Sequence, residues 1–246
     1  MLSKALGMGL IIWSLIIPAG YAETIHLLTE NFPPLNMSAD EKNFARGNNV
    51  TGITTDIVRL MFKRANIDYR VTLRFPWKRV YDTALKQKNY GVFSTSRTPE
   101  REALFQWVGP LAEEYWVLLT KADSPITINS LSDAKPWRVG GYKDDALTKF
   151  LTSRGISVLE AHSDKLNVRK LKINKIDIWA TGSLSGPYLA KQEGLVGLKQ
   201  VFSFNKNDLY LALNKDTNPE VVKKLNEALS KMRQDGSIEK IYRQYR

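Results

Sequence analysis

From Glu23 onward, short apolar runs alternate with segments whose apolar positions recur every three or four residues. The first kind reads as strand and the second as amphipathic helix. Glu23 to Thr29 predicts a strand, Thr54 to Ala65 a helix with Ile57, Leu60, Met61 and Ala65 at helical spacing, and Tyr69 to Leu73 a second strand. Trp77 to Lys86 predicts a helix with Val80, Ala84 and Leu85 on one side, and Tyr90 to Ser94 a third strand. Phe32-Pro33-Pro34-Leu35 is a turn in which two prolines restrict the backbone. The order β–α–β–α–β implies an α/β sheet.

After Pro110 the pattern starts again. Tyr115 to Thr120 predicts a buried strand, followed by shorter ones at Arg138 to Gly141, Ser157 to Glu160 and Ile176 to Ala180. Helices over Asp145 to Ser153, Lys165 to Ile173 and Gly186 to Gln192 separate them. Leu209 to Leu213 is one more strand. Pro219 to Asp235 is a helix with Val222, Leu225, Leu229 and Met232 along one face, closed by Gly236, and Ser237 to Tyr245 a last short one. Two α/β units follow, each expected to carry its own sheet. If the final helices return to the first unit, the chain crosses between units twice, which makes a hinge with a cleft.

Composition narrows the chemistry. The 246 residues are 43% hydrophobic and 25% charged, an ordinary globular balance. The chain has no cysteine, which removes disulfides, thiolate zinc sites, iron–sulfur clusters and cysteine nucleophiles. Two histidines, His26 and His162, leave little for a metal centre or a Ser-His-Asp triad. No metal and no cofactor is expected. The net charge of +11 is spread along the chain without a run of five basic residues, so it reads as a solvated cationic surface rather than a nucleic-acid footprint.

Residues 1–22 read as a secretory signal peptide. Lys4 gives the positive start, Ala5 to Ile17 the uncharged apolar stretch, and Gly20-Tyr21-Ala22 the small residues before a cleavage near Ala22-Glu23. The stretch falls short of the roughly 20 residues a bilayer span needs. The mature protein is expected to begin near Glu23 and to be periplasmic, unlipidated, monomeric and without a nucleic-acid partner.

Four segments in order resemble one family. Thr29-Glu30-Asn31-Phe32-Pro33-Pro34-Leu35 is similar to a first strand followed by an aromatic and a proline turn, and Gly52-Ile53-Thr54-Thr55-Asp56-Ile57 to a glycine-then-acid helix start. Ser94-Thr95-Ser96-Arg97-Thr98-Pro99-Glu100-Arg101 is similar to a ligand-carboxylate segment, and Asn226-Glu227-Ala228-Leu229 through Asp235-Gly236-Ser237 to Ile241-Tyr242 to a pair of closing helices. Together they resemble the bacterial extracellular solute-binding proteins of family 3. The resemblance implies a two-lobed periplasmic-binding-protein fold of type II, with two chain crossings at a hinge and a central ligand cleft. Its first lobe is 23–114 plus 210–246 and its second 115–209. It also implies capture of a small polar, carboxylate-bearing molecule, an amino acid or a relative, and delivery to an ABC permease in the inner membrane.

Arg101 is the principal site candidate. Thr98 can cap a helix opened by Pro99, which places Arg101 in the first turn. There, free backbone N–H groups and a planar two-pronged guanidinium together can receive a carboxylate. Read from the residues alone, Arg101 either does this or pairs at the surface with Glu100 or Glu102; the resemblance implies the first. It also implies that Ser94 and Ser96 line the same site and that the rings of Phe32 and Trp77 sandwich the ligand, where packing in the core is the alternative.

The second lobe departs from the family. Gly182 stands where amino-acid-binding members carry the aspartate that pairs with the α-amino group, so this amine clamp is missing. Tyr142-Lys143-Asp144-Asp145 replaces a glycine and small hydroxyl residues. Asp144 or Asp145 can take the amine or cap the next helix, Asp145 being the better cap. Gly182-Ser183-Leu184-Ser185-Gly186 is not a nucleophile elbow, because Leu184 holds the serine position. Trp107 to Leu111 and Tyr115-Trp116 read as core and hinge packing. Two other functions fit the same scaffold. One is a ligand-sensing partner of a receptor. The other is a dehydratase of cyclic acids using Glu30, Asp144 or Asp145 beside Arg101.

Overall fold

The computed structural model describes residues 24–245, so the expected signal peptide lies outside the described residues. The chain opens with β1 (Ile25–Thr29), β2 (Met37–Ser38), β3 (Phe44–Arg46), β4 (Val50–Thr51) and α1 (Ile53–Ala65). Then come β5 (Tyr69–Arg74), α2 (Trp77–Lys86), β6 (Tyr90–Ser96) and the single turn α3 (Pro99–Glu102). The long strand β7 (Phe105–Lys121) leads into β8 (Val139–Tyr142), α4 (Ala146–Ser153), β9 (Val158–Ala161) and α5 (Asp164–Lys172). β10 (Ile178–Gly182), α6 (Ser185–Gln192), a second long strand β11 (Leu198–Asn214), α7 (Pro219–Gln234) and α8 (Ser237–Arg243) complete it.

The helices fall where apolar spacing puts them, because one buried face is all that spacing needs to specify. The strands hold the main difference. The two expected sheets are one nine-stranded sheet, ordered β3-β5-β1-β6-β11-β7-β10-β8-β9. They are joined because β7 and β11 each run 17 residues and pair antiparallel from Leu198 opposite Lys121 to Asn214 opposite Phe105. The expected strands Tyr115–Thr120 and Leu209–Leu213 are only the apolar parts of these two. Gly109-Pro110 reads as a break in sequence, yet it sits at a register shift between Leu209 and Leu211, the kind of irregularity where a strand tolerates proline. The sequence reading places no strand over Lys199 to Asp208; its apolar Val201, Phe202 and Phe204 are only partly buried among polar residues, and pairing with β7 holds it.

Each half of the sheet is covered on both faces. In the first half, Leu27, Val71, Leu73 and Phe93 face the core under α1, α7 and α8, while Leu28 and Val92 face α2. In the second, strand alternation sends Trp116, Leu118, Ile178 and Ala180 to one core and Val117, Leu119 and Trp179 to the other. Gly52 opens α1 at φ 118°, where a Cβ would lie 2.4 Å from the Leu35 carbonyl oxygen, so the β1 turn and the helix pack backbone to backbone. The boundaries read from sequence, at 114/115 and 209/210, fall inside β7 and β11, where Glu114 pairs with Asn207 and Leu209 with Ala112.

The crossing strands carry core as well as connection. Leu211 is fully buried on β11. Leu211→Ala is expected to cost about 2–5 kcal/mol in chemical denaturation. Leu159→Ala, at a side chain 46% exposed on β9, is expected to stay within about 0.5 kcal/mol.

Candidate functional site

Where the β7–β11 ribbon passes between the two halves, the other strand ends converge on a cavity of about 50 Å³. From the first half come Glu30 and Phe32 after β1, Trp77 at the start of α2, Ser94 and Ser96 on β6, and Arg101 on α3. From the second come Glu114 and Trp116 on β7, Tyr142 at the end of β8, Asp145 before α4, Asp164 opening α5, and Gly182 at the end of β10. The halves are drawn together across it. The Tyr142 hydroxyl donates to Glu30 Oε2 at 2.6 Å, and Lys165 Nζ to Glu41 Oε2 at 2.9 Å.

Arg101 is 8% exposed. Its guanidinium lies 5.0 Å from the Tyr81 ring and 5.9 Å from that of Trp77, and Nη1 donates to the Ser96 carbonyl at 3.3 Å. Among the described residues it forms no salt bridge; Glu102 is held instead by Arg97, with contacts of 2.7 and 2.5 Å. Arg97 also lies over Trp107 and Tyr210, which fixes the turn that carries Arg101. One expectation fails here: α3 is four residues long and the Thr98 side chain makes no capping bond to the backbone. A single turn sums little dipole, so the cationic chemistry rests on the guanidinium. Ser94 takes φ 59°, a left-handed conformation that costs of order 1–3 kcal/mol, and its Oγ meets Thr54 Oγ1 at 2.8 Å.

Asp144 and Asp145 separate. Asp145 caps α4, accepting from Leu147 N at 3.3 Å, and also lines the cavity. Asp144 turns into a neighbouring recess with Lys78, Arg97 and Lys149 and does not reach the cavity. Sequence reading missed Glu114, Tyr142 and Asp164 as site residues. Glu114 had a signal: along β7 it shares a face with Ala112, Trp116 and Leu118, an acid on the inward side of a buried strand. Asp164 accepts from Asn167 at 2.9 Å, Trp179 Nε1 at 3.0 Å and Thr181 at 3.3 Å, so distant contacts place it.

Burial governs the charges. Desolvation pushes Glu30 up to about 8 against the lowering bond from Tyr142, and Glu114 up to about 7 against donors at Ser185 and Leu184. Asp164 rises to about 6 for the same reason, and Asp145 is raised too, opposed by the charges of Arg101 and Lys149. The carboxyls also raise one another, since like charges in one low-dielectric site disfavour ionisation. Among the described residues, no group of three or more His, Asp or Glu is placed to hold a metal ion.

The sequence model of the bacterial extracellular solute-binding proteins, family 3, matches residues 25–246. No curated protein sequence matches. Among solved structures, a histidine kinase sensor domain with similarity to periplasmic binding proteins superposes with a TM-score of 0.80 at 17% identity, over 90% of this chain and 95% of that one. The arginine-, lysine-, histidine-binding protein ArtJ of Geobacillus stearothermophilus gives 0.77 at 18%, over 90% and 94%. An ancestral arginine-binding protein bound to arginine gives 0.76 at 22%, over 90% and 97%. At these identities the likeness is one of fold: two lobes around a cleft.

The raised carboxyls set a pH dependence of unusual sign. Unfolded, these groups release their protons near pH 4. Folded, Asp164, Glu114 and Glu30 hold them to about 6, 7 and 8. Between those limits the native state binds more protons, so unfolding free energy falls as pH rises. The contribution is whole below about 4.5 and gone above about 8. Surface acids held down to about 2, Asp40 and Asp235, have finished titrating by then. The melting temperature of the unliganded protein is expected to fall from pH 5 to pH 8, with a shallower slope in Glu30→Gln. A melting temperature that climbs over this range contradicts the desolvated carboxyls.

Proposed function

The chain belongs to the bacterial extracellular solute-binding proteins of family 3, and from that premise we propose that it captures a small polar, carboxylate-bearing molecule in the periplasm and delivers it to an ABC importer. Arg101 carries the reading: a buried guanidinium that forms no salt bridge among the described residues and faces a cavity between two lobes. A buried cation is costly unless paired, and an incoming carboxylate pairs it with a bidentate, charge-assisted contact worth about 1.5–3 kcal/mol per hydrogen bond.

Binding shifts an open–closed equilibrium by the ligand's differential affinity for the closed form. The hinge is the stretch of β7 and β11 around Glu114 and Leu209, which divides 23–114 plus 210–246 from 115–209. The closed form is joined by Tyr142–Glu30 and Lys165–Glu41. Phe32 and Trp77 wall the ligand, and Ser94 and Ser96 line its carboxylate end. Export through the signal peptide fits the family, and no helix among the described residues is long and apolar enough to cross a membrane. A second reading, a sensing partner of a receptor, is favoured by the fold match to the kinase sensor domain; a bound solute without a cognate permease distinguishes it.

The test is titration calorimetry on residues 23–246 with a panel of acidic, neutral and basic amino acids, carboxylates lacking the amine, and amines lacking the carboxylate. Carboxylate-bearing compounds are expected to bind. Arg101→Ala is expected to weaken them at least about tenfold, the loss of one charge-assisted bond. Arg101→Lys is expected to fall between, since an ammonium keeps charge without the planar fork. Unchanged dissociation constants in Arg101→Ala overturn the assignment.

A further inference from the structure

Position 182 has no side chain, but the space for one is taken. A Cβ built on Gly182 would lie 2.0 Å from Glu114 Oε1 and 2.1 Å from its carboxyl carbon. A side chain fits at 182 only if the Glu114 carboxylate moves: reaching across from β7, it stands in the volume that a residue at the end of β10 would otherwise fill. The pairing register explains the reach, because Gly182 lies opposite Trp116 and Glu114 is two residues further along the same face of β7.

Glu114 is 1% exposed, and its two oxygens differ. Oε1 accepts from Leu184 N at 3.1 Å, Ser185 N at 3.1 Å and Ser185 Oγ at 3.2 Å. Oε2 is buried and accepts no hydrogen bond among the described residues, while the residue lines the cavity. One oxygen is locked by the start of α6, so the other is aimed rather than free to turn. Burying a carboxylate with an empty acceptor site costs free energy, and folding keeps that cost here, at the cavity wall.

The remaining charges extend the argument. Among the described residues, Arg101 is the one basic residue that lines the cavity, against Glu30, Glu114, Asp145 and Asp164. A zwitterion leaves that imbalance as it was. A ligand with a second positive group reduces it. Glu30, Tyr142 and Asp164 also wall a recess of about 440 Å³, shared with Lys165 and Arg169, which are already paired with Glu41 and Glu193, so an extended side chain leaving the cavity first meets the acids.

We propose that Glu114 receives the ligand's ammonium group in place of a side chain at position 182, and that the cleft takes an α-amino acid with a second cationic group on its side chain. The proposal rests on the carboxylate-capturing reading of Arg101 and names the ligand class for that site. Cation binding favours the ionised carboxyls, so uptake releases protons and tightens as pH rises from 6 to 8.

The experiment uses a matched series on residues 23–246: L-lysine, L-norleucine without the side-chain ammonium, 6-aminohexanoate without the α-ammonium, and L-glutamate with an acidic side chain. L-lysine is expected to bind at least about tenfold tighter than the other three, the scale of one charge-assisted contact. Its binding enthalpy is expected to vary with the ionisation enthalpy of the buffer. Glu114→Gln is expected to lose at least about tenfold for L-lysine and little for 6-aminohexanoate. Gly182→Asp alone collides with Glu114 and is expected to lose binding. Glu114→Ala with Gly182→Asp frees the volume, restores an acid there and is expected to recover binding, which a purely structural role for Glu114 does not predict. Three results overturn the proposal: L-norleucine or L-glutamate binding as well as L-lysine, Glu114→Gln leaving the L-lysine constant unchanged, or no L-lysine binding up to millimolar. Arg101→Ala still decides the carboxylate reading in the first two, since those ligands continue to report on it.

Discussion

The antiparallel pairing of β7 with β11 is the constraint on which this protein depends. Two 17-residue strands, hydrogen-bonded to each other through both lobes, are at once the two chain crossings, the middle of the sheet and the floor of the cleft. Because side chains alternate along a strand, one stretch of β7 sends Val117 and Leu119 into one core and Glu114, Trp116 and Leu118 to the opposite face, where Glu114 and Trp116 reach the cavity. Register therefore sets function here: a slip of one residue would turn Glu114 away from Gly182 and bury Tyr115 in its place.

Charge is organised oppositely at the two scales. The chain carries +11, yet the cleft sets four carboxyls around one guanidinium. The surface charge is solvated and screened over roughly 8 Å at physiological ionic strength. The cleft acids are not, and their raised proton affinities record what desolvation costs. The hydrogen bonds around them hold some oxygens firmly, as at Asp164, and leave one oxygen of Glu114 unmatched. A site left unsatisfied in one direction selects what satisfies it.

Much of the fold was legible in sequence because helices and short buried strands are written locally. Trp77 to Lys86 is a helix in both, and Pro219 opens α7 in both. What escaped was non-local. Lys199 to Asp208 mixes Val201, Phe202 and Phe204 with polar residues and is held as strand by β7 beside it, and Gly109-Pro110 continues a strand because the register shift there absorbs it. In the site, the Ser94 to Arg101 segment was readable, while the helix cap expected from Thr98 was not formed. Asp144 and Asp145 are open alternatives in sequence; with Asp144 at φ 63°, Asp145 lines the cavity and caps α4 while Asp144 lies in the neighbouring recess.

The sequence by itself determined that the chain is an α/β protein of the solute-binding family, that Arg101 sits in a turn opened by Pro99, and that position 182 lacks an acid. Each of these is a property of residues close together along the chain, where spacing and side-chain chemistry suffice. Only the tertiary structure decided what fills the gap at Gly182, since most of the second lobe's chain lies between it and Glu114, which strand pairing brings there. Only it gathered Glu30, Asp145 and Asp164 into one desolvated cleft, because the cost of burying a charge depends on the neighbours folding supplies and not on those the sequence places beside it.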